Sequence, residues 1–216
     1  MRRLSLIVAV VVCAIAAAGE PAIASKRGEH PCRQGAAIAR NGKALVFAQR
    51  WGLYGCLRSD MRVQHVFSGE PKQSLAGASY ASPVVYGTLV AYGITGGWKC
   101  GSYSVVLYDL KLRKTVQQVP AGTANRESSA NGCEDSGTGP VRSIDLWANG
   151  TMAFIAGRPG GYEVGVVDAT GMRSIASGAD IDPLSIGRTR DSVTWWQAGT
   201  QHTAPIHSDA FGRRLR

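Results

Sequence analysis

Few side chains in this sequence are of a type and spacing that could do chemistry. The histidines are His30, His65, His202 and His207. His202 and His207 lie five apart, so a continuous strand would point them to opposite faces and deny them a shared metal. Asp180 and Asp182 flank Ile181 and would point the same way from an extended chain, as a calcium loop or a glycosidase carboxylate pair requires. Asp182 also precedes Pro183, and Asp before Pro commonly starts a turn, which is the reading adopted here. Glu134-Asp135-Ser136-Gly137 offers oxygen ligands, but in a Gly-rich stretch of the kind that is usually only solvated. HExxH, GxSxG, GxxxxGK[ST] and the EF-hand pattern are absent from the sequence. With no acid–base pair or nucleophile constellation in view, no metal and no cofactor is expected.

Five tryptophans remain. Trp51 and Trp98 stand beside Gly52 and Gly97 at expected strand ends, and with Trp196 they are the candidates for stacking on a sugar ring or a peptide. Trp147 and Trp195 are read instead as fillers between packed sheets. Four cysteines, Cys32, Cys56, Cys100 and Cys133, follow the leader at spacings of 24, 44 and 33 residues, without a CxxC pair. An even number in an oxidising compartment points to two disulfides rather than zinc.

That compartment is implied by the start of the chain. Met1-Arg2-Arg3 is followed by an uncharged apolar run from Leu4 to Ala18 and by Ala22-Ile23-Ala24, the order of a secretory signal spanning residues 1–24. Cleavage is expected after Ala24, with Ala18 as the alternative site. An uncleaved anchor is disfavoured because the run falls short of the about 20 residues that cross a bilayer as a helix. Cys13 follows Val12 inside this run, where a lipoprotein signal would place a small residue. The expected product is a secreted, periplasmic or cell-envelope monomer without a later membrane span.

The full chain carries a formal charge of +9, and +8 once Arg2, Arg3 and Glu20 are removed. Arg213, Arg214 and Arg216 crowd a basic tail at 211–216, and the remaining charges read as scattered singly. That pattern supports no specific nucleic-acid surface, only a weak attraction to acidic envelope polymers.

Internal similarity supplies the architecture. Segments 42–48, 87–93, 150–156 and 191–197 align without gaps; each opens on a turn residue and places Phe47, Tyr92, Ile155 or Trp196 at the sixth position. Asn41-Gly42 and Asn149-Gly150 read as hairpin turns, because both residue types tolerate positive φ. Partner strands are expected at 36–39, 83–86, 141–148 and 183–186. Third and fourth strands follow at 53–57 and 63–67, at 103–110 and 115–119, and at 162–168 and 172–176; only 202–207 follows in the last repeat. The turn residues are 45, 63 and 41 residues apart, the long interval holding the polar insertion 121–140. Four strands every 40 to 45 residues is the period of a β-propeller blade. Ala44–Phe47, Leu89–Tyr92 and Met152–Ile155 are apolar on both faces, as blades packed face to face require.

The fold expected is therefore all-β: four four-stranded, propeller-like repeats at about 33–75, 76–120, 141–179 and 180–210, after a lead-in at 25–32, forming one domain over 33–210. The alternative is a β-sandwich. In an up-and-down blade the entering loop and the second-to-third loop share one end; with Cys32 and Cys133 in entering loops and Cys56 and Cys100 in second-to-third loops, all four cysteines would gather on one face. On that geometry Cys32 pairs with Cys56, and Cys100 with Cys133 across the insertion.

The order of turn, apolar strand, loop, valine-rich strand ending in Asp, and turn, best seen in Ser104–Leu110 and again in Val164–Asp168, resembles the TolB-type and WD-type propeller repeats of exported bacterial proteins. The Gly-His and Trp-Asp signatures of WD repeats are absent. The resemblance implies architecture and little about activity. The expected function is a non-catalytic binding or scaffold module that presents a disulfide-pinned face, with Trp51, Trp98 and the insertion, to an envelope polymer or protein. A carbohydrate-active hydrolase or lyase with a site at the propeller centre is the alternative.

Overall fold

The structure, a computed structural model, describes residues 32, 37–49, 52–68, 79–96, 102–121 and 141–207. These residues form fifteen strands: β1 (Ala37–Arg40), β2 (Ala44–Gln49), β3 (Gly52–Leu57), β4 (Val63–Ser68), β5 (Ser79–Tyr86), β6 (Leu89–Gly96), β7 (Ser102–Asp109), β8 (Lys114–Pro120), β9 (Val141–Leu146), β10 (Met152–Arg158), β11 (Gly161–Asp168), β12 (Gly171–Gly178), β13 (Gly187–Arg188), β14 (Ser192–Gln197) and β15 (Thr200–Pro205). They pair antiparallel, in sequence order, as four sheets: β1–β4, β5–β8, β9–β12 and the three-stranded β13–β15. The protein is all-β, and among the described residues no helix is long and apolar enough to cross a membrane.

The sheets pack face to face in chain order. Ala44, Val46, Leu53 and Leu57 of the first meet Val90, Tyr92, Val106 and Tyr108 of the second. The opposite face of the second sheet, Leu89, Ala91, Val105 and Leu107, meets Met152, Phe154 and Val167 of the third. Ala153, Ile155, Val164 and Val166 turn the other way, against Val193 and Trp195 of the fourth. Four stacked sheets with two doubly buried members are not a two-layer sandwich, so that alternative is set aside. Polar bonds stitch the same interfaces. The Tyr92 hydroxyl donates to Val66 O (3.1 Å), and burial raises its pKa. Gln64 Nε2 donates to Leu110 O (2.7 Å), and Trp147 Nε1 to Thr189 O (3.0 Å).

Two strand glycines allow the sheets their close approach. A Cβ on Gly55 would stand 2.6 Å from the Leu110 side chain of the second sheet, and one on Gly93 would stand 2.6 Å from Val141 of the third. Neither position has room for a methyl group unless a neighbour moves.

Three expectations need correction. The fourth repeat shows three strands among the described residues, and its first strand is not 183–186 but the two-residue β13. The reason is local: Asp182 Oδ1 accepts from Leu184 N (3.0 Å) and Asp182 O from Ser185 N (3.2 Å), so this segment is spent on a turn. The Asn-Gly turns are also built differently. Neither Asn has positive φ; Asn41 Oδ1 accepts from the amides of Lys43 (2.7 Å) and Ala44 (2.8 Å), and only Gly150 of the four residues takes φ of +90°. Cys56, finally, is not in a second-to-third loop. It lies within β3 with its side chain on the outer face of the first sheet, beside Leu45 and Phe47.

Cys56 is nonetheless bonded to Cys32, as expected, with Cα atoms 6.0 Å apart. The bond fastens the chain ahead of β1 over the outer face of the first sheet. It fits an oxidising, exported environment. Cys100 and Cys133 lie outside the described residues.

At the far end of the stack, Asp168 ties the fourth sheet to the third. Its carboxylate accepts from Thr170 N (2.9 Å), Thr170 Oγ1 (2.7 Å), Arg173 Nη2 (3.0 Å) and His207 N (3.0 Å). Burial pushes the Asp168 pKa up, but these donors outweigh it and the net shift is downward. A carboxyl with a lowered folded pKa contributes stability in full above its unfolded value of about 3.9 and loses it as pH falls through the folded value. Asp168→Ala is therefore expected to cost about 3 kcal/mol near neutral pH in urea denaturation, and to flatten the acid limb of the stability profile. Cys56→Ser is expected to cost about 3 kcal/mol, and non-reducing peptide mapping to return a Cys32–Cys56 linkage. A Cys56–Cys100 linkage would contradict the fold.

Candidate functional site

Burial of both sheet faces leaves the strand ends as the places where polar side chains can gather. In each four-stranded sheet the first-to-second and third-to-fourth turns share one end. Here the turns of the first three sheets come together. Asn41 Nδ2, in the first turn of sheet one, donates to Gly87 O in the first turn of sheet two (3.2 Å).

The acidic and amide side chains at this end are engaged with backbone amides. Asn41 caps its own turn, as described above. Asp60 Oδ1 accepts from Arg62 N (3.0 Å). Asp109 Oδ1 accepts from Lys111 N (2.7 Å) and Leu112 N (3.3 Å), while Arg113 N donates to Asp109 O (2.7 Å). Closing that turn puts Arg113 at φ of +57°, a region that L side chains enter at a cost.

The basic side chains of the same turns line a cavity instead. Lys43, Arg58, Lys111 and Arg113 surround a space of about 610 Å³ in which, among the described residues, Asp60 is the one carboxylate, with Ser59 and Thr88 as hydroxyls. Among the described residues none of the four cations forms an ion pair. Tyr108 adjoins this cluster: burial raises its phenol pKa, the charge of Arg113 opposes that and the charge of Asp109 adds to it. A second space of about 360 Å³ is lined by Lys43, Tyr86, Thr88, Asp109 and Asn149. Lys43 and Thr88 border both, so the two spaces form one groove across the turn ends of three sheets.

Beside the groove, the first strands of sheets two, three and four are joined through Arg188. Its Nε stands 3.4 Å from Asp145 Oδ1, and its guanidinium lies 4.9 Å from the centre of the Tyr86 ring. Burial raises the Asp145 pKa against the opposing Leu146 amide and Arg188 charge. Asp145 is the sole acidic residue in β1, β5, β9 and β13, so those strands bring no carboxylate pair together.

The residues singled out from the sequence are dispersed. Trp51, Trp98, Cys100, Cys133 and insertion residues 122–140 lie outside the described residues. Trp196 is 47% exposed on the outward side of the fourth sheet, whereas Trp147 and Trp195 are buried between sheets three and four as expected. His202 stacks on Trp195 with centroids 5.5 Å apart, and His65 tilts over Tyr54 at 4.8 Å. Asp180 Oδ1 accepts from Gln197 Nε2 (3.0 Å), and Asp182 caps its turn, so this pair serves local structure.

In the sequence Lys43, Arg58, Lys111 and Arg113 read as isolated charges, and none of them stands out as a site residue. Their signal was position: each sits in a turn at the same end of a repeat. No protein-family model matches this chain. No curated protein matches it either.

Among the described residues these cations have no ion-pair partner, so like charges oppose one another, and Arg113 adds backbone strain. Arg113→Gly is therefore expected to raise stability by up to about 1 kcal/mol in urea denaturation. A loss of that size would show that the Arg113 side chain holds its turn together.

Proposed function

We propose that this chain is an exported, non-catalytic binding module, a propeller-like array of β-repeats that takes an acidic polymer of the cell envelope or extracellular space into the groove at its turn end. The observation that carries the reading is the cavity where, among the described residues, Lys43, Arg58, Lys111 and Arg113 face one carboxylate without forming ion pairs. Like charges held together repel, and a bound polyanion relieves the repulsion while gaining from a field focused by the cleft.

The propeller reading is supported by the stacking order and by the approach of first strands to one another, β1 to β5 and β5 to β9, as strands around a common axis would approach. Export is supported by the signal-like order of residues 1–24, Arg2-Arg3 followed by the uncharged run from Leu4 to Ala18, and by the Cys32–Cys56 bond. The hydrolase or lyase reading has no comparable support, because Asp145 has no second carboxylate beside it on the first strands and is held by Arg188.

Titration of the purified protein with polygalacturonate and with polyphosphate, against neutral dextran, tests the reading. Both polyanions are expected to bind at low salt and to weaken about tenfold or more by about 0.5 M salt. The double variant Arg58→Glu, Lys111→Glu is expected to weaken both by about tenfold or more while remaining folded. Equal binding of dextran, or no binding of either polyanion, would sink the proposal.

A further inference from the structure

The groove is not uniform along its length. The half between sheets one and two holds the four cations. The half that runs on to sheet three has only Lys43, at the junction, and adds the carboxylate of Asp109. A polymer with a charge at every unit would gain in the first half and be repelled in the second. The second half instead offers Asn149, Thr88 and the large side chain of Tyr86, which is 40% exposed.

Tyr86 is well placed to act as a platform. It ends β5, and the guanidinium of Arg188 lies over its ring at 4.9 Å while Arg188 is itself held by Asp145 at 3.4 Å. A ring fixed in this way loses little freedom when a ligand stacks against it. The adjoining Gly87 has φ of +60°, and a Cβ there would meet nothing within 4 Å, so the turn that follows Tyr86 is open at that point.

Building on the reading of the groove as a polyanion site, we infer that its second half is a sugar-ring subsite with Tyr86 as its stacking surface, and that the ligand is an acidic polysaccharide in which charged and uncharged rings alternate. The acidic ring sits among Lys43, Arg58, Lys111 and Arg113. The neighbouring uncharged ring lies against Tyr86, with its hydroxyls or amide within reach of Asp109 and Asn149. Asp109 Oδ1 already accepts from the amides of Lys111 and Leu112, but a carboxylate has acceptor capacity beyond those two bonds, so it suits this role by accepting from a sugar hydroxyl and rejecting a second acid group.

Hyaluronate oligosaccharides, which alternate in this way, are the probe, with polyphosphate and single-stranded RNA as competitors lacking that alternation. Calorimetric titration is expected to rank hyaluronate above polyphosphate and RNA. Tyr86→Ala is expected to weaken hyaluronate by about tenfold and polyphosphate by less than about twofold, and Tyr86→Phe to retain the wild-type preference. Thermal unfolding of each variant checks that the fold is intact. Equal losses for both polymers in Tyr86→Ala, no loss for hyaluronate, or a preference for RNA would overturn the subsite while leaving the polyanion reading in place. Failure of every polyanion to bind would instead remove the reading on which it rests.

Discussion

A β-strand has two faces, and in the second and third sheets of this protein both are pressed against other sheets. The requirement is visible residue by residue. Along β6, Leu89 and Ala91 face one neighbour while Val90 and Tyr92 face the other; along β10, Met152 and Phe154 alternate in the same way with Ala153 and Ile155. Such strands have no wet side on which polar groups could be varied freely. Three polar groups between the sheets, the Tyr92 hydroxyl, Gln64 Nε2 and the indole nitrogen of Trp147, each donate to a backbone carbonyl across an interface.

Polar chemistry is thereby displaced to the turns. There the short side chains and the long ones divide the work. Asn41, Asp60, Asp109 and Asp168 hold amides that would otherwise lack acceptors, while Lys43, Arg58, Lys111 and Arg113 reach past them into the groove. The carboxylates most able to neutralise the cations are occupied close to the backbone. A positive groove follows from how the turns are capped, and no dedicated loop is needed to create it.

The degree to which this was legible in the sequence follows the range of the interactions. Hairpins were readable because turn residues and runs apolar on both faces are local: 42–48, 87–93, 150–156 and 191–197 correspond to β2, β6, β10 and β14. The Cys32–Cys56 bond was readable from the repeat order, although Cys56 was placed in a loop when it belongs to β3. The first strand of the fourth repeat was misjudged because Asp182 and Ser185 favour a turn over a ladder, a competition between two local bonding schemes that hydropathy alone does not rank. The groove was not readable at all. Lys43 and Lys111 are 68 positions apart, and only the stacking of sheets makes them neighbours.

The bare α-carbons of Gly55 and Gly93 set how near one layer comes to the next. Each works like a missing shim. Inserting a single carbon at Gly93 would pry the second and third layers apart in the middle of the molecule, and because the groove spans the tips of those layers, its mouth would widen without any change to the residues that line it. The width of that mouth is in this sense governed from the interior, by a buried position that is not among the residues that line it.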